Sequence, residues 1–225
     1  MTAHARTNRQ LQHVRAIRRH WGRPTAVVVA LVFGLTISLL GCTTMIIPPT
    51  SPAEPVNVFV IDHGRTASLA IPASDGGMLR YAYGDWRYYA LAKDSLRNGI
   101  AALLWPTQGA LGRGKLEDPP TLESVQQQVR SIEHVHLVRV ARRSVIEFER
   151  NMERLYQSRS DTAVENVPYG MNFVHHPRRY TYFWNSNHAV ASWLRELGCQ
   201  TPGLAFHSIW HVEYATRSNV QPGSR

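Results

Sequence analysis

The sequence predicts an α+β domain whose mostly antiparallel sheet packs against helices. Two observations predict this class. Short β-branched or alternating runs recur along the chain, and helical patterns lie among them without a regular strand–helix–strand repeat. The region concerned, residues 56–217, has the length of one domain with a single hydrophobic core.

The predicted strands begin with a pair. Val56–Ile61 and Ala67–Ile71 are β-branched or apolar runs, and the short connection Asp62–Thr66 joins them. Leu79–Tyr83 is a third short strand. The further strands predicted along the chain are His134–Ala141, which alternates in polarity, Arg179–Trp184 and Ser208–Tyr214.

Helical spacing of apolar residues predicts helices between these strands. Glycine and proline punctuate Trp105–Pro120, which predicts a long loop with little regular structure. Gly198 is expected to stop the last helix. The four segments with helical patterns are Arg87–Leu104, Thr121–Val129, Arg143–Gln157 and Ser186–Leu197.

The N-terminus predicts an exported chain held at a membrane. The first 25 residues contain six arginines and no acidic residue, and residues 26–40 carry no charge, as in the basic and apolar regions of a signal peptide. Leu39-Leu40-Gly41-Cys42 matches the bacterial lipobox. We therefore expect residues 1–41 to be a lipoprotein signal peptide and Cys42 to carry the lipid anchor.

An uncleaved transmembrane helix is the alternative, because the uncharged run continues to Ile47 and is then about long enough to span a bilayer. In either case the arginines stay inside and the remaining chain lies outside the cytoplasm. Thr43, rather than aspartate, after Cys42 favours the outer membrane, and hence a periplasmic location, if there are two membranes.

After Cys42 the prolines at positions 48, 49, 52 and 55 predict an extended, unpacked tether over residues 42–55. The globular domain is expected to follow at residues 56–217. Residues 218–225 are predicted to be a flexible tail.

The charge of the chain excludes one class of partner. The formal net charge is +9, but all six arginines before Cys42 belong to the export signal. The remainder holds 19 basic and 16 acidic residues, a net charge of about +3. The basicity that would ordinarily indicate nucleic-acid binding is therefore absent from the domain, and no nucleic-acid partner is expected.

Cysteine and histidine usage predicts neither a disulfide nor a metal site. With Cys42 lipidated, Cys199 has no partner in the chain and is expected to be a small buried residue. His207 and His211 would share one face of a helix, but their surroundings predict a strand, on which they lie too far apart to hold one ion. We expect no metal and no cofactor.

Ser186 and His63 are the candidate catalytic residues. Ser186 falls at the predicted start of a helix, where the partial positive charge would stabilise an alkoxide; helix capping is the alternative, since Asn and Ser are preferred N-caps. His63 ends a strand beside Gly64, which would let a ligand or backbone approach closely, and is placed for general-base work. A loop histidine satisfied by backbone or by Asp62 is its alternative.

Other residues complete this predicted site. His207 and His211 are alternative bases for Ser186. The residues expected to line a pocket beside it are Asn185, Asn187, His188 and Asp85.

Three short motifs carry a family resemblance. They are, in order, Asp62-His63-Gly64-Arg65-Thr66, Tyr83-Gly84-Asp85 and Asn185-Ser186-Asn187-His188. Together they resemble a bacterial family of conserved hypothetical proteins first noticed near urease gene clusters. In that family an opening strand ends in a His-Gly-Trp-His-Thr-like motif, followed by Gly-Trp-Gly-Asp-like and Asn-Cys-Asn-Thr-Trp motifs.

That family looks like a circularly permuted relative of the papain-like amidases and peptidases of the cell envelope. The resemblance implies a papain-like fold and a thiolate–imidazolium nucleophile. This chain departs from the pattern at two positions, because Ser186 stands in place of the cysteine and Thr66 in place of the second histidine. Only His63 aligns with a family histidine, which implies that the fold was kept and the cysteine chemistry lost.

Three functions are consistent with these observations. The first is a non-catalytic or degenerate papain-like binding or accessory module, anchored in the bilayer and contacting peptidoglycan or an envelope protein. The second is a Ser186/His63 hydrolase that cuts an amide or ester in the envelope. The third is a purely structural envelope lipoprotein.

Overall fold

The central feature of the fold is an open, antiparallel sheet of seven strands. It is seen in a computed structural model that describes residues 43–91, 105–117 and 120–214. Two further strands form a short parallel ribbon. The strands in the described ranges are β1 (Thr43–Ile46), β2 (Pro55–Asp62), β3 (Ala67–Pro72), β4 (Met78–Asp85), β5 (Thr107–Leu116), β6 (His134–Ala141), β7 (Val164–Asn166), β8 (Met171–Tyr180) and β9 (Ile209–Val212).

The strand order in the large sheet is β6-β2-β3-β4-β5-β8-β7, and every neighbouring pair is antiparallel. The small ribbon pairs β1 with β9 in parallel. The described α-helices are α1 (Leu122–Gln128), α2 (Arg142–Gln157) and α3 (Ser186–Glu196). The predicted α+β class, with a mostly antiparallel sheet packed against helices, is confirmed.

The larger core lies on one face of the sheet. Helices α2 and α3 and the β1–β9 ribbon pack there, because each presents an apolar stripe to the strands. Buried side chains of this core include Phe148 and Met152 from α2, Val190 and Leu194 from α3, and Ile46 from β1.

The opposite face carries two smaller apolar clusters. The first joins Phe59 and Ile61 of β2 to Val125 of α1. The second joins Ala110 of β5 to Phe173 of β8. Between these clusters the face carries polar side chains, and the candidate site described below lies there.

The predicted loop at Trp105–Pro120 is wrong, because most of it forms β5 in the interior of the sheet. Its glycines are not breakers here. A Cβ at Gly112 would contact the Phe173 ring, and one at Gly109 would contact Tyr83 and the Arg178 carbonyl. The glycines of this strand make room for neighbouring aromatic rings and backbone. This requirement comes from the tertiary structure, but in the sequence the same glycines look like those of a loop.

The predicted strand at Arg179–Trp184 is also wrong. Strand β8 ends at Tyr180, and the next four residues turn back on themselves through reciprocal backbone hydrogen bonds of 3.1 Å between Thr181 and Trp184. The aromatic residues that favour a strand are here surface side chains: Phe183 is 74% exposed.

The helical pattern at Arg87–Leu104 corresponds to one turn of π-helix at Trp86–Ala90. Residues 92–104 lie outside the described residues. The other predicted strands and helices are present, with ends shifted by a few residues.

The predicted tether at residues 42–55 is wrong at its start. Thr43–Ile46 is strand β1, and Thr44 and Ile46 are fully buried. The prolines that favour an unpacked segment begin only at residue 48, after this strand has ended. The folded domain therefore begins directly after Cys42.

The predicted signal peptide at 1–41, the predicted lipidation of Cys42 and the predicted tail at 218–225 lie outside the described residues. Across the ranges that are described, we find no helix with the length and hydropathy needed to cross a membrane.

Candidate functional site

A cavity of about 580 Å³ opens on the second face of the sheet. Strands β3, β4 and β8 and the β2–β3 connection form its walls. Its volume is typical of sites for small molecules. The residues that matter for its chemistry are His63, Arg65, Ser68, Arg80, Tyr88, Tyr89, Arg130, Ser131, Glu133 and Tyr169.

Ser68 and Arg80 come from neighbouring strands and share this face. In the β3–β4 register Ser68 pairs with Ala82 and Ala70 with Arg80, so the two polar residues are diagonal neighbours, within reach of a long side chain. Arg80 Nε donates a hydrogen bond of 3.0 Å to Ser68 Oγ.

His63 completes a three-residue cluster with them. Its Nδ1 lies 2.8 Å from the Ser131 carbonyl oxygen. Because that oxygen can only accept, Nδ1 carries the hydrogen and Nε2 is the basic nitrogen. Nε2 lies 3.0 Å from Ser68 Oγ and 3.2 Å from Arg80 Nη2.

Burial, and then the nearby positive charge of Arg80, lower the pKa of His63 to about 4. The imidazole is therefore neutral near pH 7. It directs its basic nitrogen at the serine and the guanidinium.

Two residues with left-handed backbone hold His63 in position. Gly64 has φ +85°, and its N–H donates to Asp62 Oδ1 at 2.7 Å. The space a Cβ would need at Gly64 is filled by the Glu133 carboxyl group, so this glycine serves the turn and not the approach of a ligand. Ser131, whose carbonyl binds His63, has φ +55°, a conformation that is strained for a non-glycine residue.

Arg80 is the most unusual group in the cavity. Its side chain is buried, with the residue only 6% exposed, and its partners are the neutral atoms Ser68 Oγ, His63 Nε2 and the Tyr169 carbonyl oxygen. Burial lowers the pKa of Arg80 to about 10, so the guanidinium remains charged at pH 7. No carboxylate of residues 43–91, 105–117 or 120–214 forms a salt bridge with it.

The rim of the cavity adds further positive charge. Arg65 and Arg130 are exposed and line it together with one carboxylate, Glu133. Tyrosine rings, including Tyr88 and Tyr169, form much of the remaining wall. The site combines a buried cation, a positive rim and aromatic walls, an arrangement that suits a small anionic ligand with an apolar part.

The structure does not bring Ser186 and His63 together. Ser186 is 2% exposed, and its Oγ is buried with no hydrogen-bond partner in the described part of the chain. Helix α3 packs on the main-core face, whereas His63 bonds to Ser68 on the opposite face. The predicted Ser186/His63 pair is thus wrong, because the His63 ring nitrogens contact Ser131 and Ser68, and Ser186 Oγ contacts no ring nitrogen in the described ranges.

The capping alternative describes this helix start correctly, with Asn185 as the capping residue. Asn185 Oδ1 accepts hydrogen bonds from the backbone N–H groups of Asn187 and His188, at 3.0 and 3.2 Å. Ser186 is the first residue of α3 itself.

The four predicted pocket residues do not line the cavity. His188 Nδ1 contacts Asn185 Oδ1 at 3.0 Å, and Asp85 caps the π-turn by accepting from the Tyr88 N–H. Asn187 has a bracing role, since its Nδ2 donates to the Arg65 carbonyl oxygen at 3.2 Å. The helix start therefore supports the loop that carries His63 without entering the site.

His207 and His211 are both exposed, and neither provides the base predicted for Ser186, whose Oγ has no partner in the described residues. Within those same ranges no group of three or more His, Cys, Asp or Glu side chains is placed to hold a metal ion. Cys199 is buried and unbridged, and burial raises the pKa of its thiol to about 11.

The sequence analysis did not predict Ser68 and Arg80 as site residues, although both lie in predicted strands. The available signal was a polar residue inside each apolar run: Ser68 within Ala67–Ile71 and Arg80 within Leu79–Tyr83. An arginine in a strand that is otherwise apolar indicates a buried charge, which requires a partner or a function.

Comparison of the chain with protein-family models, with curated proteins and with solved structures finds no match. The family resemblance and the papain-like architecture therefore stay predictions.

Proposed function

We propose that this chain is a membrane-anchored binding module of the cell envelope that holds a small anionic ligand, a carboxylate or a phosphate, on Arg80. The main support for the proposal is the buried guanidinium of Arg80, which lines a cavity and, within the described part of the chain, contacts only neutral atoms. A buried charge is costly unless it is paired. A ligand anion would supply the missing partner.

The neighbours of Arg80 favour the same ligand. Arg65 and Arg130 outnumber Glu133 among the charged residues of the wall, so the cavity attracts negative charge. His63 is neutral and can accept a proton when an anion offsets the charge of Arg80. A planar guanidinium also matches the geometry of carboxylate and phosphate oxygens.

Anchoring through Cys42 would display this cavity outside the cytoplasm, at the periplasmic face of the outer membrane if there are two membranes. Peptidoglycan, whose peptides end in carboxylates, and envelope proteins are the partners that fit this location. The binding or accessory role expected from the sequence is therefore kept, with the site moved from Ser186 to Arg80.

A titration of the full chain with three probes tests the proposal. Inorganic phosphate and N-acetylalanine present the two anion types, and N-acetylalanine amide is the neutral control. We expect at least one anion to bind, and Arg80→Met to weaken its binding about tenfold or more, the loss expected for a charged hydrogen bond. Binding that is unchanged in Arg80→Met contradicts the proposal, as does equal binding of the amide.

Arg113→Met is the matched control variant. Arg113 is also a strand arginine, on β5, but it already pairs with Glu153 at 2.7 Å and is not among the cavity residues. Its loss should leave anion binding unchanged. A similar loss of binding in both variants would indicate a general effect of charge and not a site at Arg80.

A second candidate function rests on a separate observation, the 3.0 Å contact between Ser68 Oγ and His63 Nε2. With His63 Nδ1–H bonded to the Ser131 carbonyl, the three groups have the connectivity of a nucleophile, a base and an orienting acceptor. Ser68 Oγ would attack an ester or amide carbonyl carbon and transfer its proton to Nε2. The leaving group would take that proton, and water would release the acyl group.

This hydrolase ranks second because the lowered pKa of His63 makes it a weak base near pH 7. Fluorophosphonate labelling of the full chain tests it, with Ser68→Ala and Ser186→Ala compared. Labelling lost in Ser68→Ala and kept in Ser186→Ala supports the hydrolase. Labelling that does not depend on Ser68 rules it out.

A further inference from the structure

An exposed aromatic patch lies beside the point where the described chain begins. We define the aromatic patch as Tyr182, Phe183, Leu204 and Phe206. Phe183 is 74% exposed and Leu204 56% exposed. The Phe206 ring stacks on Tyr182, with ring centroids 5.1 Å apart, and meets Phe183 edge-on at 5.9 Å.

The start of the domain fixes where this patch lies relative to residue 42. Met45 N–H donates to the Pro202 carbonyl oxygen at 3.1 Å. Gly203 approaches Thr43 so closely that a Cβ on this glycine would collide with the Thr43 carbonyl oxygen. Leu204 of the patch is the next residue along the chain. The patch is therefore adjacent to Thr43, the residue that follows Cys42.

Two arginines precede the patch closely in the chain. Arg178 and Arg179 are both exposed, and the Arg178 guanidinium lies 3.4 Å from the centroid of the Trp184 ring, next to Phe183 in the chain. Exposed aromatic and apolar side chains bordered by arginines are characteristic of surfaces that lie in the interface of anionic membranes.

We propose that the aromatic patch, with Arg178 and Arg179, docks on the surface of the anionic bilayer that holds the N-terminal anchor. The 42 residues that precede Thr43 in the sequence include the apolar run at 26–40. Strand β1 leaves no spacer between residue 42 and the folded domain. An anchor in the bilayer at Cys42 thus holds this face, and no distant one, against the lipid.

The aromatic patch also shares a contact with the loop at the rim of the cavity. Asn187 Nδ2 donates to the Arg65 carbonyl oxygen at 3.2 Å and to the Phe206 carbonyl oxygen at 3.5 Å. One side chain therefore connects the aromatic patch to the rim of the cavity. The inference rests on the membrane anchoring in the proposed function, and it is independent of whether the cavity binds an anion.

Depth-dependent fluorescence quenching of the full chain in vesicles tests the docking. Phe183→Cys carries an environment-sensitive dye, and Val167→Cys is the matched control because Val167 is also 74% exposed and lies outside the patch. The native Cys199 is 5% exposed, and a lipidated Cys42 has no free thiol, so the dye reacts at the introduced cysteine. The vesicles contain phosphatidylglycerol and phosphatidylethanolamine, with brominated acyl chains as quenchers.

We expect the Phe183 label to be quenched severalfold more than the Val167 label, and the difference to shrink when Arg178→Glu and Arg179→Glu are combined. Flotation of the vesicles is measured first. A chain that floats and shows equal quenching at both labels overturns the docking and leaves the anchoring intact. A chain that does not float contradicts the anchoring, and the docking with it. Cross-linking between two copies of the chain through the cysteine introduced at position 183 would show that a second copy covers the patch, which also overturns the inference.

Discussion

Replacing Arg80 with methionine should make the protein more stable while it removes anion binding. The two effects separate a binding residue from a structural one. A residue that holds the fold together lowers stability when it is lost, whereas a buried charge kept for a ligand raises stability when it is lost.

The magnitude follows from the pKa of Arg80, which burial lowers from the usual range of an arginine to about 10. At about 1.4 kcal/mol per pKa unit, a shift of that size corresponds to roughly 3 kcal/mol. For a base, a folded pKa below the unfolded value means that folding disfavours the charged form, so at pH 7 the full cost falls on the folded state.

Methionine fills similar volume but cannot replace the hydrogen bonds of the guanidinium. Ser68 Oγ keeps His63 as a partner, while the Tyr169 carbonyl loses the donor at 3.3 Å at a cost of about 1 kcal/mol. We therefore expect the free energy of unfolding of Arg80→Met to rise by about 1–2 kcal/mol.

Urea unfolding followed by tryptophan fluorescence measures this change. Arg113→Met is again the control, and we expect it to lower stability by roughly 1 kcal/mol because it breaks the ion pair with Glu153. A stability loss in Arg80→Met as large as that in Arg113→Met would contradict this prediction and indicate a structural role for Arg80.

Four further predictions test the site and its surroundings. Because the folded pKa of His63 is about 4, below the usual 6.5, the unfolded chain takes up the proton first. The free energy of unfolding should thus fall by up to about 3 kcal/mol as the pH drops from 6.5 to 4. Urea unfolding at several pH values measures this fall, and comparison with His63→Gln gives the part due to His63. Ser186→Ala should leave stability unchanged or raise it by up to about 1 kcal/mol, because it removes a buried hydroxyl that has no partner in the described residues. Asn185→Ala should lower stability by about 1 kcal/mol, because it removes the N-cap of α3. Thermal unfolding compares the two variants, and a lower melting temperature for Ser186→Ala than for Asn185→Ala would contradict this prediction. Gly64→Ala should destabilise by about 1–2 kcal/mol, because φ is +85° there, and should also weaken anion binding by displacing the loop; an unchanged melting temperature would contradict the turn role. Cys42→Ser should abolish the association of the chain with membranes, measured by fractionation of cells, and retention in the membrane fraction would favour an uncleaved helix instead.

Local patterns predicted much of the fold. Alternating polarity and the helical spacing of apolar residues predict the β2–β3 pair, strand β6 and helices α1 to α3. These patterns involve only residues that are close together in the sequence. Strand β5 could not be predicted in this way. Its glycines make room for Phe173 and Tyr83, residues that are distant in the chain and become neighbours only through strand pairing.

The candidate site was likewise predicted only in part from the sequence. The sequence indicated His63 as a base at the end of a strand, and the structure places it in the cavity. The sequence also indicated a serine as the partner of His63. The serine predicted was Ser186, because a helix start can be recognised from neighbouring residues. The face on which a residue lies depends on strand register and on which helix covers which side. Those long-range choices put Ser186 in the main core and Ser68 beside His63.

The α+β class, the positions of most strands and helices, and the expectation of a lipid anchor at Cys42 could all be predicted from the sequence, because each is encoded in a contiguous segment. Three features could not: β1 begins directly after residue 42, Arg80 is buried with no carboxylate partner among the described residues, and His63 contacts Ser68. These contacts join residues as far apart in the chain as Thr43 and Ile209, which are 166 positions apart. The strand pairing that brings them together depends on the apolar surface that the whole chain buries on folding.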